Sequence, residues 1–301
     1  MSRLSLNGVL KLFKESFIRW YQNEAMLHAA ALAYYTIFSL APLLIISIAI
    51  ATQVFSQAAA EGKIAAAIDG YLGTEAANVV QDIIKNSRHL LPGSFATGIT
   101  ILFVLYGASS VFRQMQYSLN AMWGITPKAE TVHQSLTVIV KEFSLAVAAI
   151  LTVGFILLSS LLLNTLWTAV PQEYLHQLFP NLADLNTLFR FGASPLVFMV
   201  IFAIIFKTFP KAKIRWRDVW LGAAVTALLF WLGGYLIGLY LAYSAWTSIY
   251  GAAGSVIALL LWVYYSAWIF LFGAVFTQLY ANAFGTPVVP DKDAKFVATS
   301  L

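Results

Sequence analysis

Residues Ser255–Leu279 read SVIALLLWVYYSAWIFLFGAVFTQL and contain no charged side chain. About 20 apolar residues in a helix cross a hydrocarbon core of about 30 Å, so this run is long enough to span a bilayer. With no water in that core, the backbone must satisfy its own hydrogen bonds, which selects a helix. Five other runs share this character: Leu32–Val54, Phe95–Phe112, Phe143–Leu166, Phe191–Phe206 and Val219–Ala242. The fourth is short and fits only if its flanking side chains snorkel. With 60% hydrophobic and 10% charged residues, a soluble domain would lack enough polar surface to stay dispersed. The expected fold class is therefore all-α, a polytopic membrane protein with six transmembrane helices in a single domain over residues 1–284.

Lysine and arginine in short loops are retained on the cytoplasmic side of a membrane. One set comprises Arg3, Lys11, Lys14 and Arg19 before the first run, Arg113, Lys128 and Lys141 after the second, and Lys207, Lys211, Lys213, Arg215 and Arg217 after the fourth. With Lys292 and Lys295 of the tail, that side holds fourteen of the 18 basic residues, against Lys63, Lys85, Arg88 and Arg190. Both termini are expected to face the cytoplasm. A net charge of +5 then reflects a basic rim facing anionic lipid rather than a nucleic-acid partner. The first apolar run is too long for a cleaved signal and should act as a signal-anchor.

Residues 1–28 read as an amphipathic helix in the membrane interface. Leu6, Val9, Leu10, Phe13, Phe17, Trp20 and Tyr21 fall in one arc, with Asn7, Lys11, Glu15 and Gln22 roughly opposite. Residues 55–94 carry two helical patterns, one with Ile64, Ile68, Tyr71 and Leu72 and one with Val79, Val80, Ile83 and Ile84, and are expected to form an extracytoplasmic helical hairpin. The second run should continue through Met115, Leu119 and Met122 and break at Gly124 and Pro127. Residues 285–301, polar and proline-bearing, read as a disordered cytoplasmic tail. In the fifth run Gly234, Gly238 and Ala242 recur at i, i+4 and i+8, a small-residue stripe for helix packing within the bundle or between protomers.

A charge near the bilayer centre costs about 2.5–3.5 kcal/mol and usually serves a proton, an ion or a substrate. These runs hold none. His28, Arg113, Glu142, Arg190, Lys207 and Asp218 all fall at their ends. The four histidines, His28, His89, His133 and His176, show no metal-ligand spacing. There is no phosphate loop, nucleophile elbow or cysteine. The expectation is a protein without enzymatic activity, cofactor or metal.

Uncharged polarity remains. Tyr35 and Ser39 lie one turn apart with Pro42 on the same side, beside Tyr34; a proline in such a helix frees a carbonyl, a common device at transport sites. Tyr106, Arg113, Gln116 and Asn120 continue the second run as a polar strip. Tyr250, Gly251, Gly254 and Ser255 form a glycine-rich entry to the last run, where an unwound segment is expected. Each cluster reads either as interhelical hydrogen bonding or as the lining of a hydrophilic path or headgroup groove.

Four segments carry a resemblance: AAALAYYTIFSLAPLLI (Ala29–Ile45), YGASSVFRQMQYSLNAMW (Tyr106–Trp123), GAAVTALLFWLGGYLIGLY (Gly222–Tyr240) and SIYGAAGSVIALLLWVYYSAWIFLFGAVFTQ (Ser248–Gln278). They resemble the BrkB or YihY family of bacterial inner-membrane proteins, some of which carry an old ribonuclease BN label. The resemblance implies six helices, cytoplasmic termini and an activity described as transport or envelope-related, in some members linked to serum resistance or lipid export. Many members have glutamine and glutamate where this chain has Trp268 and Val275, which share one helix face. No coupling acid is carried over from the resemblance, and Gln278, one turn from Val275, is the nearest polar substitute. The expected function is a transporter or flippase-like protein for an amphiphilic, lipid-related or small polar substrate. A non-transporting envelope scaffold, with a homo-oligomer or an envelope protein as partner, is the alternative; membrane lipids are partners in both.

Overall fold

The computed structural model describes residues 6–51, 58, 61–62, 81–82, 85, 107, 110–128, 183–243 and 252–297. In chain order these contain helices α1 (Leu6–Gln22), α2 (Ala25–Ala51), α3 (110–122), α4 (Ala183–Thr208), α5 (Trp216–Tyr243) and α6 (Ala252–Phe284). Four short strands join them: β1 (Ile125–Pro127), β2 (Ala212–Lys213), β3 (Val289–Pro290) and β4 (Ala294–Phe296). The architecture is all-α. The third apolar run and most of the second and of the outer hairpin expected over 55–94 lie outside the described residues.

Two of the described helices, over Trp216–Tyr240 and Val256–Phe284, are long and apolar enough to cross a membrane. In the first, Leu228, Trp231, Leu232, Tyr235, Leu236, Leu239 and Tyr240 are exposed, whereas the second is mostly buried or half-buried. The exposed face of the first fits a lipid-embedded helix better than the core helix of a soluble domain, whose apolar face would be covered. The fourth run gains length from its neighbours. It is a continuous 26-residue helix, about 39 Å long, with Pro195 inside it. The first apolar run also begins earlier than its composition suggests, with α2 starting at Ala25.

Helix α6 is the hub, with α1, α2 and α5 packed on it and α4 packed on α5. Antiparallel α5 and α6 approach most closely through a reciprocal pair of glycines and threonines. A Cβ placed on Gly222 would collide with the Thr277 side chain, and one on Gly273 with Thr226. Thr226 Oγ1 donates to the Gly222 carbonyl at 2.7 Å, and Thr277 Oγ1 donates to the Gly273 carbonyl at 2.7 Å. Each hydroxyl is satisfied on its own helix, so each threonine can sit over the partner's glycine without an unpaired group. The five-residue echo GAAVT (222–226) and GAVFT (273–277) was the sequence signal for this contact. At Gly234 and Gly238, two of the three residues of the expected packing stripe, a Cβ has nothing within 4 Å among the described residues. Farther along, Gly233 lies against Ile269 and Tyr265, and Phe198, Phe202, Phe206, Phe230 and Phe270 fill the seam between α4, α5 and α6.

The amphipathic leader is a helix, as its periodicity implies, but its apolar arc is shared between two surroundings. Leu12, Ser16 and Trp20 are buried, and Phe13 stacks against Phe272 and Phe276 of α6. Leu10, Phe17 and Tyr21 stay exposed. The chain turns into α2 at Glu24, whose φ of 52° is a left-handed conformation that costs a non-glycine residue about 1–2 kcal/mol. Helix α3 ends at Gly124 (φ 63°), the break its sequence announces. Pro127, expected to share in that break, sits instead in β1.

The tail corrects another expectation. Residues 285–297 are ordered: β4 pairs antiparallel with β1, Ile125 opposite Phe296, and β3 pairs with β2, Ala212 opposite Pro290. Val288 and Ala294 are buried with Ile125, Ala212 and Ile214, so the tail contributes apolar area as well as backbone bonds. Overall polarity concealed this, yet VVPDKDAKFV (288–297) is two short apolar runs around a turn-forming centre.

The glycine contacts yield a prediction. Gly222→Ala or Gly273→Ala is expected to destabilise the protein by about 1–3 kcal/mol, because a β-branched threonine has no room to yield. Gly238→Ala is expected to be neutral or stabilising by up to about 1 kcal/mol through helix propensity. Thermal unfolding of the three purified variants in detergent checks both.

Candidate functional site

A helix leaves its last four carbonyls without an intrahelical donor. Where α3 and α4 end, side-chain amides supply the missing bonds. Gln116 Nε2 donates to the Phe209 carbonyl at 2.8 Å, and Asn120 Oδ1, one turn on, accepts from the Lys211 amide at 2.8 Å. These two α3 residues hold the segment that follows α4. The end of α3 is held in turn: Asn23 Nδ2 donates to the Met122 carbonyl at 2.9 Å and Gln278 Nε2 to the Trp123 carbonyl at 2.7 Å. Trp123 Nε1 returns a bond to the Ala274 carbonyl of α6 at 2.9 Å.

The rest of this end follows the same logic. Asp218, in the first turn of α5, is buried and accepts the Thr286 amide on Oδ2 at 3.1 Å. Gly285 permits that approach, since a Cβ there would collide with the Asp218 carboxylate. Asn282 Oδ1 accepts the Val288 amide at 2.9 Å, Lys207 Nζ donates to the Ile214 carbonyl, and Lys128 Nζ donates to the Lys292 carbonyl at 2.7 Å. The result is an amide cap that ties the ends of α3, α4 and α6 to the start of α5 and to the turn between α1 and α2. It lies on the end of the molecule that carries the basic loops.

Among the residues singled out in the sequence, Gln116, Asn120 and Gln278 come together in this cap. Arg113 is exposed on α3. Ser39 is buried, but its Oγ donates to the Thr36 carbonyl of its own helix at 3.1 Å. Tyr34 and Tyr35 are exposed on α2, edge to face with each other, and Tyr34 packs on Phe38. Pro42 is within α2, a continuous helix. Tyr106, Tyr250 and Gly251 lie outside the described residues. Gly254 and Ser255 are already inside α6, not in an unwound entry, because the helix begins at Ala252. At 1.5 Å per residue, Gly254 stands about 36 Å along α6 from Gln278, so the two sit at opposite ends of the molecule. The described candidates therefore do not form one cluster but are spread over α2, α3 and α6.

Two details were not legible in advance. Gln278 is 3% exposed, and among the described residues its Oε1 has no hydrogen-bond partner, nor do Trp262 Nε1 and Trp268 Nε1. A buried acceptor left unmet costs about 1–3 kcal/mol, which sets Gln278 apart from the satisfied amides around it. The face bearing Trp268 is occupied by α1: Trp20 meets its ring edge-on at 5.6 Å and donates Nε1 to its carbonyl at 3.2 Å. Val275 is fully buried. Trp20 and Asn23, both in the leader, are cap-end residues that an amphipathic reading of the leader overlooks.

Asn120→Ala is expected to remove the bond that the Lys211 amide donates to the side chain. Stability should fall by about 1–3 kcal/mol and hydrogen exchange at Lys211 should accelerate. Gln114→Ala, which loses only a 3.3 Å contact to Ser118 within α3, should change neither by as much.

Comparison with known proteins places this architecture. The chain is 27% identical over 92% of its length to a UPF0761 membrane protein of Teredinibacter turnerae, covering 62% of that protein. A UPF0761 membrane protein of Kangiella koreensis is 24% identical over 85% of the chain, which covers 60% of that protein. The chain thus spans about three fifths of the length of these two relatives. It covers 90% of the ribonuclease-like protein YfkH of Bacillus subtilis, at 24% identity. No solved structure matches. The model of the family described as virulence factor BrkB matches residues 16–296, from the middle of α1 through the tail strand, and the chain belongs to that family of membrane proteins.

Proposed function

We propose that this chain is a multi-pass inner-membrane transporter or flippase-like protein for an amphiphilic, lipid-related or small polar substrate, with six transmembrane helices and both termini cytoplasmic. In this reading the amide cap is the inner gate. The observation that carries it is the unmet Gln278 Oε1, a buried acceptor at the joint between α3 and α6, where side-chain amides bond to backbone groups around buried apolar side chains. A gate of this kind opens by exchanging amide bonds for water or substrate, while the Gly–Thr contact between α5 and α6 stays intact. Tyr34, Tyr35 and Ser39 on α2 and Gly254 on α6 continue the path away from the cap. The buried acid of the cap, Asp218, is engaged with the Thr286 amide, and in this reading coupling relies on uncharged polar groups, with no cofactor or enzymatic step.

A non-transporting envelope scaffold is the second reading, and one observation favours it: Ser39, Gln116 and Asn120 all spend hydrogen bonds on the chain's own backbone. Flux in reconstituted vesicles separates the two. Under the transport reading Ser39→Leu lowers flux several-fold and Asn120→Leu raises leak through a loosened gate, both in protein that still purifies folded. Unchanged flux in both variants, across lipid and solute substrates, together with a stoichiometric partner crosslinked in cells, would establish the scaffold.

A further inference from the structure

Helix α1 has three sides, and together they define where the bilayer surface lies. One side, Leu12, Ser16 and Trp20, is buried, and Phe13 and Trp20 meet α6 between Trp268 and Phe276. The next, Leu10, Phe17 and Tyr21, is 62%, 58% and 66% exposed. The remaining side carries Lys11, Lys14 and Arg19, all exposed. A helix packed by one side on a spanning helix, with one free side apolar and the other basic, suits the level where hydrocarbon meets headgroups. Its own acid, Glu15, pairs with Lys11 at 3.7 Å.

A second, independent marker stands beside the same end of α6. Gly222 faces Thr277, which puts the start of α5 near this level. There Trp216 and Trp220 are exposed with ring centres 6.3 Å apart, and exposed Lys213, Arg215 and Arg217 flank Trp216. Exposed tryptophans beside basic residues are the composition of a membrane–water boundary. The nearest acid, Asp218, is buried and engaged with Thr286. The tail turn, by contrast, mixes Lys292 and Lys295 with Asp291 and Asp293.

We propose that α1 and the entrance to α5 form a docking surface for the phosphate headgroups of anionic lipids, with Leu10, Phe17 and Tyr21 inserted below them and Lys14, Arg19, Arg215 and Arg217 binding the charge. Charge complementarity selects the occupant: both clusters are basic, both adjoin exposed apolar or aromatic side chains, and both flank one end of a spanning helix. Zwitterionic lipid would satisfy the apolar strip but not the cations. The surface does not depend on transport.

The test uses the full chain in phosphatidylcholine vesicles with spin-labelled phosphatidylglycerol or spin-labelled phosphatidylcholine as tracer, reading the motionally restricted fraction at the protein surface. The expected result is a preference for the anionic tracer of about fivefold or more, the factor one well-placed basic residue supplies. It should decline at high salt and fall close to parity when Lys14, Arg19, Arg215 and Arg217 are all changed to glutamine. Arg→Lys changes at the three arginines should retain it, since the charge is preserved; this variant also controls for folding. Equal restriction of both tracers in the unaltered protein overturns the proposal. So does a preference that survives the four glutamine substitutions, or one abolished by inorganic phosphate at matched ionic strength.

Discussion

A helix end inside or beside a bilayer has unsatisfied carbonyls and little water with which to satisfy them. The described part of this protein is organised around that constraint. Gln116 and Asn120 hold the segment leaving α4, Asn23 and Gln278 hold the end of α3, and Asp218 and Asn282 hold the end of α6. Each bond is modest by itself, about 0.5–1.5 kcal/mol net, but leaving its partner unpaired in a dry environment costs more. The amides thereby link elements far apart in sequence, with the two small β pairings of the tail completing the closure.

The Gly–Thr contact between α5 and α6, near the start of one and the end of the other, works on different physics. In lipid the apolar surface gains little by leaving the tails, so α5 and α6 associate through close backbone approach and dispersion. Gly222 and Gly273 make room, and Thr226 and Thr277 fill it with hydroxyls already satisfied on their own helices. The bond-satisfied seam and the amide cap thus lie close together near one end of α6, Thr277 in the first and Gln278 in the second.

The site was legible in type but not in use. Gln116, Asn120 and Gln278 stood out because uncharged polar residues are conspicuous in apolar runs, yet the sequence does not disclose that their partners are backbone groups of α3, of the link after α4 and of each other's neighbours. Those partners carry no side-chain signature. Gly234 and Gly238 stood out for spacing and meet nothing among the described residues, whereas Gly222 and Gly273 form the contact and were visible only as the echo of GAAVT in GAVFT. Spacing reports which residues share a helix face; it cannot say which face meets a neighbour.

By itself the sequence determined the all-α membrane character, the run that becomes α6, the amphipathic form of α1 and the break at Gly124, because hydropathy, periodicity and glycine chemistry act over a few neighbouring residues. Tertiary structure alone decided that the apolar arc of α1 divides between α6 and the outside, that the polar tail becomes two strands, and that Asn23, Asn120 and Gln278 close one end together. These outcomes depend on which backbone groups are left unpaired after the helices have met, a quantity that exists only once distant parts of the chain share space.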